Sequence, residues 1–290
     1  MTPQLITPAA VWQALAPRPP QSHKGTFGRV LIAAGSARYR GAAALCCEGA
    51  LRAGAGIVTL ASVEPVLALT LARTPECTLL PCTPDEAGGI SAQNLPALLE
   101  TLAACTALVL GPGLGSAAEA IGAGLLEAVR CPVVLDADGL NAAASGAFPL
   151  KTGGGPLILT PHPGEMARLC GLTPAQVNAD RPALAARMAR EWGCILVLKG
   201  HATLVAAPDG ALWVNTTGNP GLARGGSGDV LAGMIGGLCA AGLPALEAAK
   251  CGVWLHGAAA DRAAAQRGQW GMLPSDLPAA LGELFAENGR

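Results

Sequence analysis

The stretch that decides the fold runs from Gly28 to Ala61. It opens with Gly-Arg-Val-Leu-Ile-Ala-Ala-Gly, passes through an Ala-rich segment and closes with Ile-Val-Thr-Leu-Ala. This pattern predicts a buried strand, a loop from Ser36 to Gly41, a helix through Leu51 and a second strand from Ile57. Strand, helix and strand within about thirty residues form a βαβ unit, which favours a parallel sheet with helices on its faces.

The same alternation continues along the chain. Further strands are predicted at Cys77–Leu80, Ala107–Leu110, Pro132–Asp136, Leu157–Thr160 and Ile195–Leu198, with a hairpin over 202–214. Further helices are predicted at 65–72, 94–103, 174–192, 229–241, 244–266 and 276–287, and one more begins after Ser116. Ser116 and Ser275 are the predicted N-caps of their helices, and Pro182 is predicted to interrupt the helix over 174–192.

Domain organisation follows from the absence of breaks in this alternation. Residues 1–22 carry five prolines and predict an irregular lead-in with one turn of helix near Ala9–Leu15. No linker-like stretch or internal repeat divides the rest. We therefore expect one α/β domain over residues 1–290, with a mostly parallel central sheet flanked by helices on both faces.

Composition limits the class of protein. Of the 290 residues, 51% are hydrophobic and 13% charged, which is typical of a globular chain. The net charge of −1, with 3% aromatic residues, argues against a nucleic-acid-binding surface. We see no export signal and no uninterrupted apolar run that could span a membrane. None of the ten cysteines is in a Cys-x-x-Cys pair, and we expect them to be buried in apolar surroundings. We expect a cytoplasmic protein that binds small molecules.

A second informative stretch runs from Asn215 to Gly237. Within it, Gly225, Gly226, Ser227 and Gly228 allow successive backbone N–H groups to converge at a helix N-terminus, which predicts an anion site. Asp229 follows in the first helical turn, within reach of a hydroxyl that attacks a bound phosphoryl group. An ordinary Gly-rich helix start with Asp229 as a favourable charge is the alternative, and this string alone leaves both interpretations open.

Turns that carry candidate site residues follow the predicted strands at their carboxyl ends. These residues are Gly113, Asp136 with Asp138, His162 with Glu165, Lys199, and Asp229. In an open parallel sheet these ends face one crevice, so the sequence predicts that distant residues meet around one ligand.

Each of these positions also has a structural interpretation that the sequence leaves open. Gly111–Gly115 is either a tight turn or a ligand contact. Asp136 and Asp138 are predicted to alternate along a strand end, so that at most one faces a given ligand, and either could instead cap the next helix. His162, between two prolines, is predicted on the crevice rim, with a structural role as the alternative, and Lys199 either meets a phosphate or ends a strand. His256 is expected to be a core histidine. Lys24, Arg38 and Arg40 either neutralise substrate phosphates or are solvated surface charges.

Five motifs together resemble the ADP-dependent NAD(P)H-hydrate dehydratases. They lie at 111–115, 136–141, 160–165, 199–203 and 218–233, within a similarity over residues 23–285. The resemblance implies a ribokinase-like fold and a hydro-lyase that repairs nicotinamide cofactors. In that reaction the 6S hydrate of NADH or NADPH is returned to the normal dinucleotide while ADP, or ATP, donates a phosphoryl group; ADP is split to AMP and phosphate, usually with Mg²⁺.

The resemblance also implies site residues and an assembly. The hydrate-binding positions fall on Ala42, Gly113, His162 and Asp229, with Asp229 as the catalytic base. The AMP-binding positions fall on Lys199, Gly200, His201, Ala202, Thr203 and Gly228; magnesium ligands are not assigned. Bacterial members are commonly homotetramers, and many carry a fused epimerase domain that this sequence does not contain.

One departure and two alternatives complete the prediction. Arg224 stands where the family often has a small polar residue, and it either adds a phosphate contact or points to solvent. A small-molecule kinase of the same fold, acting on a vitamin-precursor alcohol, would need the same amides and base. A non-catalytic adenine-nucleotide sensor would bind nucleotide without releasing phosphate.

Overall fold

A single ten-stranded sheet forms the centre of the computed structural model, which describes residues 2–290. The strands are β1 (Gln4–Leu5), β2 (Arg29–Ala33), β3 (Ile57–Ser62), β4 (Thr78–Pro81), β5 (Ala107–Leu110), β6 (Val133–Leu135), β7 (Leu157–Leu159), β8 (Ile195–Leu198), β9 (Leu204–Ala206) and β10 (Leu212–Val214).

Helices cover both faces of this sheet. They are α1 (Pro8–Ala14), α2 (Arg40–Arg52), α3 (Glu64–Arg73), α4 (Leu95–Ala103), α5 (Ala117–Ala128), α6 (Asp138–Ala144), α7 (Pro163–Cys170), α8 (Pro174–Ala179), α9 (Arg181–Trp192), α10 (Ser227–Ala240), α11 (Ala245–Gly271) and α12 (Leu277–Glu287). In residues 2–290, no helix combines the length and the apolar character that a membrane span needs.

The strand order is β1-β10-β9-β8-β7-β6-β5-β2-β3-β4. Strands β2 to β8 pair in parallel, whereas β9 runs antiparallel to both of its neighbours. The predicted mostly parallel α/β sheet is therefore confirmed. The order reverses between β2 and β5, and in such sheets the crevice at the reversal is the usual ligand site.

Strand residues alternate between two hydrophobic clusters, one on each side of the sheet. Val30 and Ile32 of β2 pack with α2, α10 and α11, whereas Leu31 and Ala33 pack on the opposite side with α4 and α5. This alternation arises because successive side chains of a strand point to opposite faces. All ten cysteines are free and most are buried, as the sequence predicts.

Close packing of α10 against α2 depends on glycine. A Cβ on Gly233 would lie 2.0 Å from the Cys46 carbonyl oxygen, and a Cβ on Gly237 would lie 2.4 Å from that of Ala50. The two backbones can therefore approach each other only without side chains at these positions. This contact places the N-terminus of α10 beside α2.

The lead-in is more regular than predicted. Gln4 and Leu5 form β1, which pairs in parallel with β10, and the predicted turn of helix is α1. A two-residue strand has no detectable alternation, so its partner more than two hundred residues away decides its conformation.

Several predicted helix boundaries are also wrong. The helices α6 and α7 were not predicted, and the helix over 174–192 is divided at Asp180, so that Pro182 lies in the first turn of α9. Neither proposed serine caps its helix, because Ser116 makes no side-chain cap bond and Asp276, not Ser275, precedes α12.

Candidate active site

The N-terminus of α10 forms an open cradle of main-chain amides. Gly226 precedes the helix with φ of 101°, a left-handed conformation that favours glycine. Within residues 2–290, the N–H groups of Gly225, Gly226, Gly228 and Asp229 have no hydrogen-bond acceptor. The hydroxyl of Ser227 is buried and also has no partner. Free donors at the positive end of a helix dipole suit an anion.

Helix α11 holds the loop that leads into this cradle. The polar contacts between them include those from Asn215 Nδ2 to the Val253 carbonyl (3.4 Å), from Thr217 Oγ1 to the Trp254 carbonyl (2.8 Å), from Gly218 N to Asp261 (2.8 Å), and between the Ser227 carbonyl and His256 Nε2 (2.9 Å). The loop is therefore fixed at both ends before any ligand binds.

His256 is buried, as predicted, but it also supports the cradle. Burial lowers the pKa of His256 to about 4, against the raising effect of its bond to Ser227. The ring is neutral near pH 7, and its Nε2–H donates to the Ser227 carbonyl. Because that carbonyl is in the first turn of α10, the histidine orients the cradle from beneath.

Beside the cradle, a lysine and two carboxylates form a charged cluster. Lys199 follows β8, and its Nζ lies 2.9 Å from Asp136 Oδ1 and 3.8 Å from Glu165 Oε2. Thr160 donates a further hydrogen bond to Asp136 at 2.7 Å. Burial lowers the pKa of Lys199, but the two carboxylates outweigh that effect and leave its pKa raised. The ammonium is therefore charged and already paired.

Gly228 brings the cradle and this cluster together. A Cβ on Gly228 would lie 3.2 Å from Lys199 Nζ and 3.9 Å from Asp136 Oδ2. Two residues that the sequence assigns to nucleotide binding, Gly228 and Lys199, are thus neighbours although they come from different strand–helix units.

Asp229 lies in the first turn of α10 and is partly buried. Burial and the nearby negative charge of Asp136 raise its pKa to about 7, against the lowering effect of Lys199. A carboxylate with a pKa near neutrality exchanges a proton readily at the pH of most cells. The nearby charges that act on its pKa include Asp136, Lys199 and Glu165, so Asp229 lies near the same charged cluster.

His162 lies at the crevice edge, where it caps α7. Its Nδ1 accepts hydrogen bonds from the amides of Gly164 (3.0 Å) and Glu165 (3.3 Å), and the Glu165 carboxylate accepts from the His162 amide (2.8 Å). Burial lowers the pKa of His162, against the raising effect of Glu165. The capping bonds give His162 a structural role while its ring stays half-exposed, and its contact with the hydrate stays a prediction.

The other two predicted hydrate positions meet at the point where the strand order reverses. A Cβ on Gly113, which follows β5, would lie 2.9 Å from the Cβ of Ala42 in α2. The Ser36 hydroxyl donates to the Gly113 carbonyl at 2.8 Å, which joins the loop after β2 to the loop after β5. Gly113 has φ of 65° and its added Cβ would also clash with Tyr39, so the position requires glycine.

The rest of the predicted nucleotide segment, from Gly200 to Thr203, lies against α9. Arg181 donates to the carbonyls of His201 (2.6 Å), Leu198 (3.0 Å) and Lys199 (3.2 Å), so one guanidinium sets the path of this turn. The Thr203 hydroxyl closes it by donating to Gly200 O at 3.0 Å. Arg181 has no sequence signal that links it to this segment, and the sequence analysis does not identify it.

Backbone strain marks two places in this region. Ala137 and Ala202 have φ of 49° and 53°, and they are the non-glycine residues of 2–290 with positive φ. Ala137 separates Asp136 from Asp138, so these aspartates do not alternate along a strand as predicted. Asp138 instead begins α6 and accepts from Gly115 N at 2.8 Å. Strained backbone is common at functional sites.

The overall fold matches that of a solved protein of the ribokinase-like class. A solved ribokinase-like superfamily protein from Enterococcus faecalis has a TM-score of 0.83 and 26% identity, over 98% of this chain and 96% of that one. A family model described as NAD(P)H-hydrate dehydratase matches residues 30–282. The chain belongs to the NAD(P)H-hydrate dehydratase family, as the five motifs predict.

Individual relatives agree with this assignment. An ADP-dependent (S)-NAD(P)H-hydrate dehydratase from Xanthomonas campestris is 40% identical, over 95% of this chain and 94% of its own length. A bifunctional NAD(P)H-hydrate repair enzyme from Moorella thermoacetica is 46% identical over 94% of this chain, which spans only 52% of that protein. This chain thus spans about half the length of the bifunctional relatives that it matches.

A solved structure shows the same likeness in three dimensions. The ADP/ATP-dependent NAD(P)H-hydrate dehydratase from Bacillus subtilis, co-crystallised with ATP/Mg²⁺, has a TM-score of 0.85 and 33% identity, over 99% of both chains.

Proposed function

We propose that this chain catalyses the nucleotide-dependent dehydration of the 6S hydrate of NADH or NADPH, returning the normal dinucleotide. The observation that carries the proposal is a cradle of unpaired amides followed directly by the partly buried carboxylate of Asp229, in the first turn of α10. The names and the coverage of the Xanthomonas and Bacillus relatives support the substrate class and the use of ADP or ATP.

In the proposed first step, Asp229 accepts the proton of the ring hydroxyl while the hydroxyl oxygen attacks the terminal phosphorus of ADP. The bond between that phosphorus and the bridging oxygen breaks, and AMP leaves. The free amides of Gly225, Gly226 and Gly228 and the unpaired hydroxyl of Ser227 donate to the transferred phosphoryl oxygens. Preorganised donors of this kind need no rearrangement as charge develops.

In the second step, the lone pair of the ring nitrogen expels phosphate from the ring carbon. Loss of a proton from the neighbouring ring carbon then restores the double bond of the reduced nicotinamide. Phosphorylation is useful here because phosphate is a far better leaving group than hydroxide. Ala42, Gly113 and His162 would border the hydrate, and Lys199 to Thr203 would border the adenylate.

Mg²⁺ fits this site only as an ion that is bound mainly by the phosphates of the nucleotide. Within residues 2–290, no three His, Cys, Asp or Glu side chains are arranged to hold a metal. Asp136 and Asp229 are the carboxylates near the cradle that would each add one oxygen. Mg²⁺ commonly binds through substrate phosphates, waters and one or two carboxylates, and it would neutralise phosphate charge during transfer.

The direct test is to incubate the protein with the 6S hydrate of NADH and ADP or ATP. We expect recovery of reduced-nicotinamide absorbance together with stoichiometric release of AMP, or ADP, and phosphate. In Asp229→Asn, we expect nucleotide binding to persist while turnover falls about a hundredfold or more, the range for a general base. Phosphate retained on the product would indicate a kinase, and nucleotide binding without phosphate release would indicate a sensor; either result refutes the proposal.

Assembly and location are part of the same proposal. We infer a cytoplasmic homotetramer from the family resemblance. Light scattering coupled to size exclusion would test the tetramer, and a monomer at micromolar concentration would contradict it.

A further inference from the structure

The loop before α10 carries a charge that the proposed chemistry does not use. The exposed Arg224 stands directly before Gly225, and its Nη2 donates to the main-chain carbonyl of Trp270 at 2.5 Å. None of the ion pairs within residues 2–290 includes Arg224. A guanidinium presents five N–H donors, so most remain available for a ligand.

The anchor of Arg224 is itself well positioned. α11 breaks at Gly268, where φ is 70° and ψ is 158°, and the chain then turns back along the loop. A Cβ on Gly221 would lie 2.4 Å from the sulfur of Met272, and one on Gly226 would lie 3.4 Å from Pro274. The turn therefore packs against the loop on both sides of Arg224. This packing holds the Trp270 carbonyl in place.

The charge balance of the site favours a role for Arg224 in attracting a polyphosphate. Lys199 is paired with Asp136 and lies near Glu165, and Asp229 adds a third carboxylate, whose pKa is raised to about 7. This cluster is negative overall, which opposes the entry of a polyphosphate. The amides of the cradle are neutral donors. Arg224 directly precedes these amides in the chain and has no ion pair within residues 2–290, so it would supply the attraction that Lys199 cannot.

We propose that Arg224 binds the terminal phosphate of the nucleoside di- or triphosphate and so selects polyphosphate over monophosphate. The inference rests on the proposed function, because it requires the amide cradle to hold that phosphate. The bond to the Trp270 carbonyl orients the guanidinium, and the remaining N–H groups contact phosphate oxygens. Arg224 thereby adds a specificity determinant to the loop.

Calorimetric titration with ADP and with AMP tests this assignment. In Arg224→Ser, we expect ADP affinity to fall about tenfold and AMP affinity to change by about twofold or less, since a hydrogen bond between charged groups is lost only with ADP. Arg224→Lys should show an intermediate loss, because an ammonium keeps the charge without the planar fork. Arg187→Ser removes an exposed arginine of α9 and is the matched control, expected to bind both nucleotides as the wild type does.

Two results would overturn the inference. Unchanged ADP affinity in Arg224→Ser would show that the guanidinium does not reach phosphate, and an equal loss for ADP and AMP would show a general disturbance of the loop. The proposed function fails separately, if wild-type protein binds ADP but recovers no NADH from its hydrate. The binding measurement remains informative in that case because it requires no turnover.

Discussion

Replacing Asp229 by asparagine should stabilise the folded protein at neutral and alkaline pH while it abolishes most activity. In the folded state the pKa of Asp229 is raised from its ordinary 3.8 to about 7, with burial as the main cause. An unfolded chain has no such burial. The folded state therefore binds a proton that the unfolded state has lost, between about pH 4 and about pH 7.

The sign and size of the effect follow from that window. Stability contributed by the protonated group is complete below about pH 4, declines as the pH rises, and is fully lost above about pH 7. One pKa unit corresponds to about 1.4 kcal/mol, so a rise of about three units sets an upper limit of about 4 kcal/mol. Partial exposure of the side chain reduces this, and we expect about 1–3 kcal/mol.

Urea unfolding of both proteins at about pH 5 and about pH 8 measures the effect. Asp229→Asn should have the larger free energy of unfolding at the higher pH, and the difference should shrink on acidification. Glu86→Gln changes an exposed carboxylate without hydrogen-bond partners in residues 2–290, and it should show no such trend. An asparagine variant that is less stable than wild type at the higher pH, or a difference independent of pH, would refute the reasoning.

Two further predictions concern packing and the charged cluster. Gly233→Ala should destabilise the fold by about 3 kcal/mol or more in urea unfolding, because its Cβ would lie 2.0 Å from a backbone oxygen that cannot move aside. The helical control Gly282→Ala, whose Cβ would lie 3.8 Å from Arg52 Nη1 at an ordinary contact distance, should gain about 0.5–1 kcal/mol, and equal effects would contradict the packing argument. Lys199→Met should cost about 3–5 kcal/mol, because it leaves the buried Asp136 carboxylate without its cation. Adding Asp136→Asn should restore part of this loss, and strictly additive losses would show that the pair is not coupled.

The site residues that the sequence predicted are those that adjacent residues in the chain identify. Glycines around Ser227 indicate the anion loop because backbone freedom and the start of a helix are properties of adjacent residues. Gly113, His162 and Lys199 were identified as strand-end residues by the same local patterns. The capping role of His162 and the guanidinium of Arg181 were not, since the first depends on side-chain orientation and the second on a partner seventeen or more residues away.

The sequence by itself determined that this is a parallel α/β chain with an anion-binding loop. Apolar runs such as 107–110 and 195–198 have the pattern of buried strands, and the separations between them require crossover helices. Only the tertiary structure decided which strands are neighbours, and hence that Lys199 meets Asp136, that Gly228 lies against both, and that the pKa of Asp229 is raised to about 7. The physical reason is that a pKa and an ion pair depend on distances between side chains from separate strands. Those distances follow from sheet order and register, which no single segment of the sequence encodes.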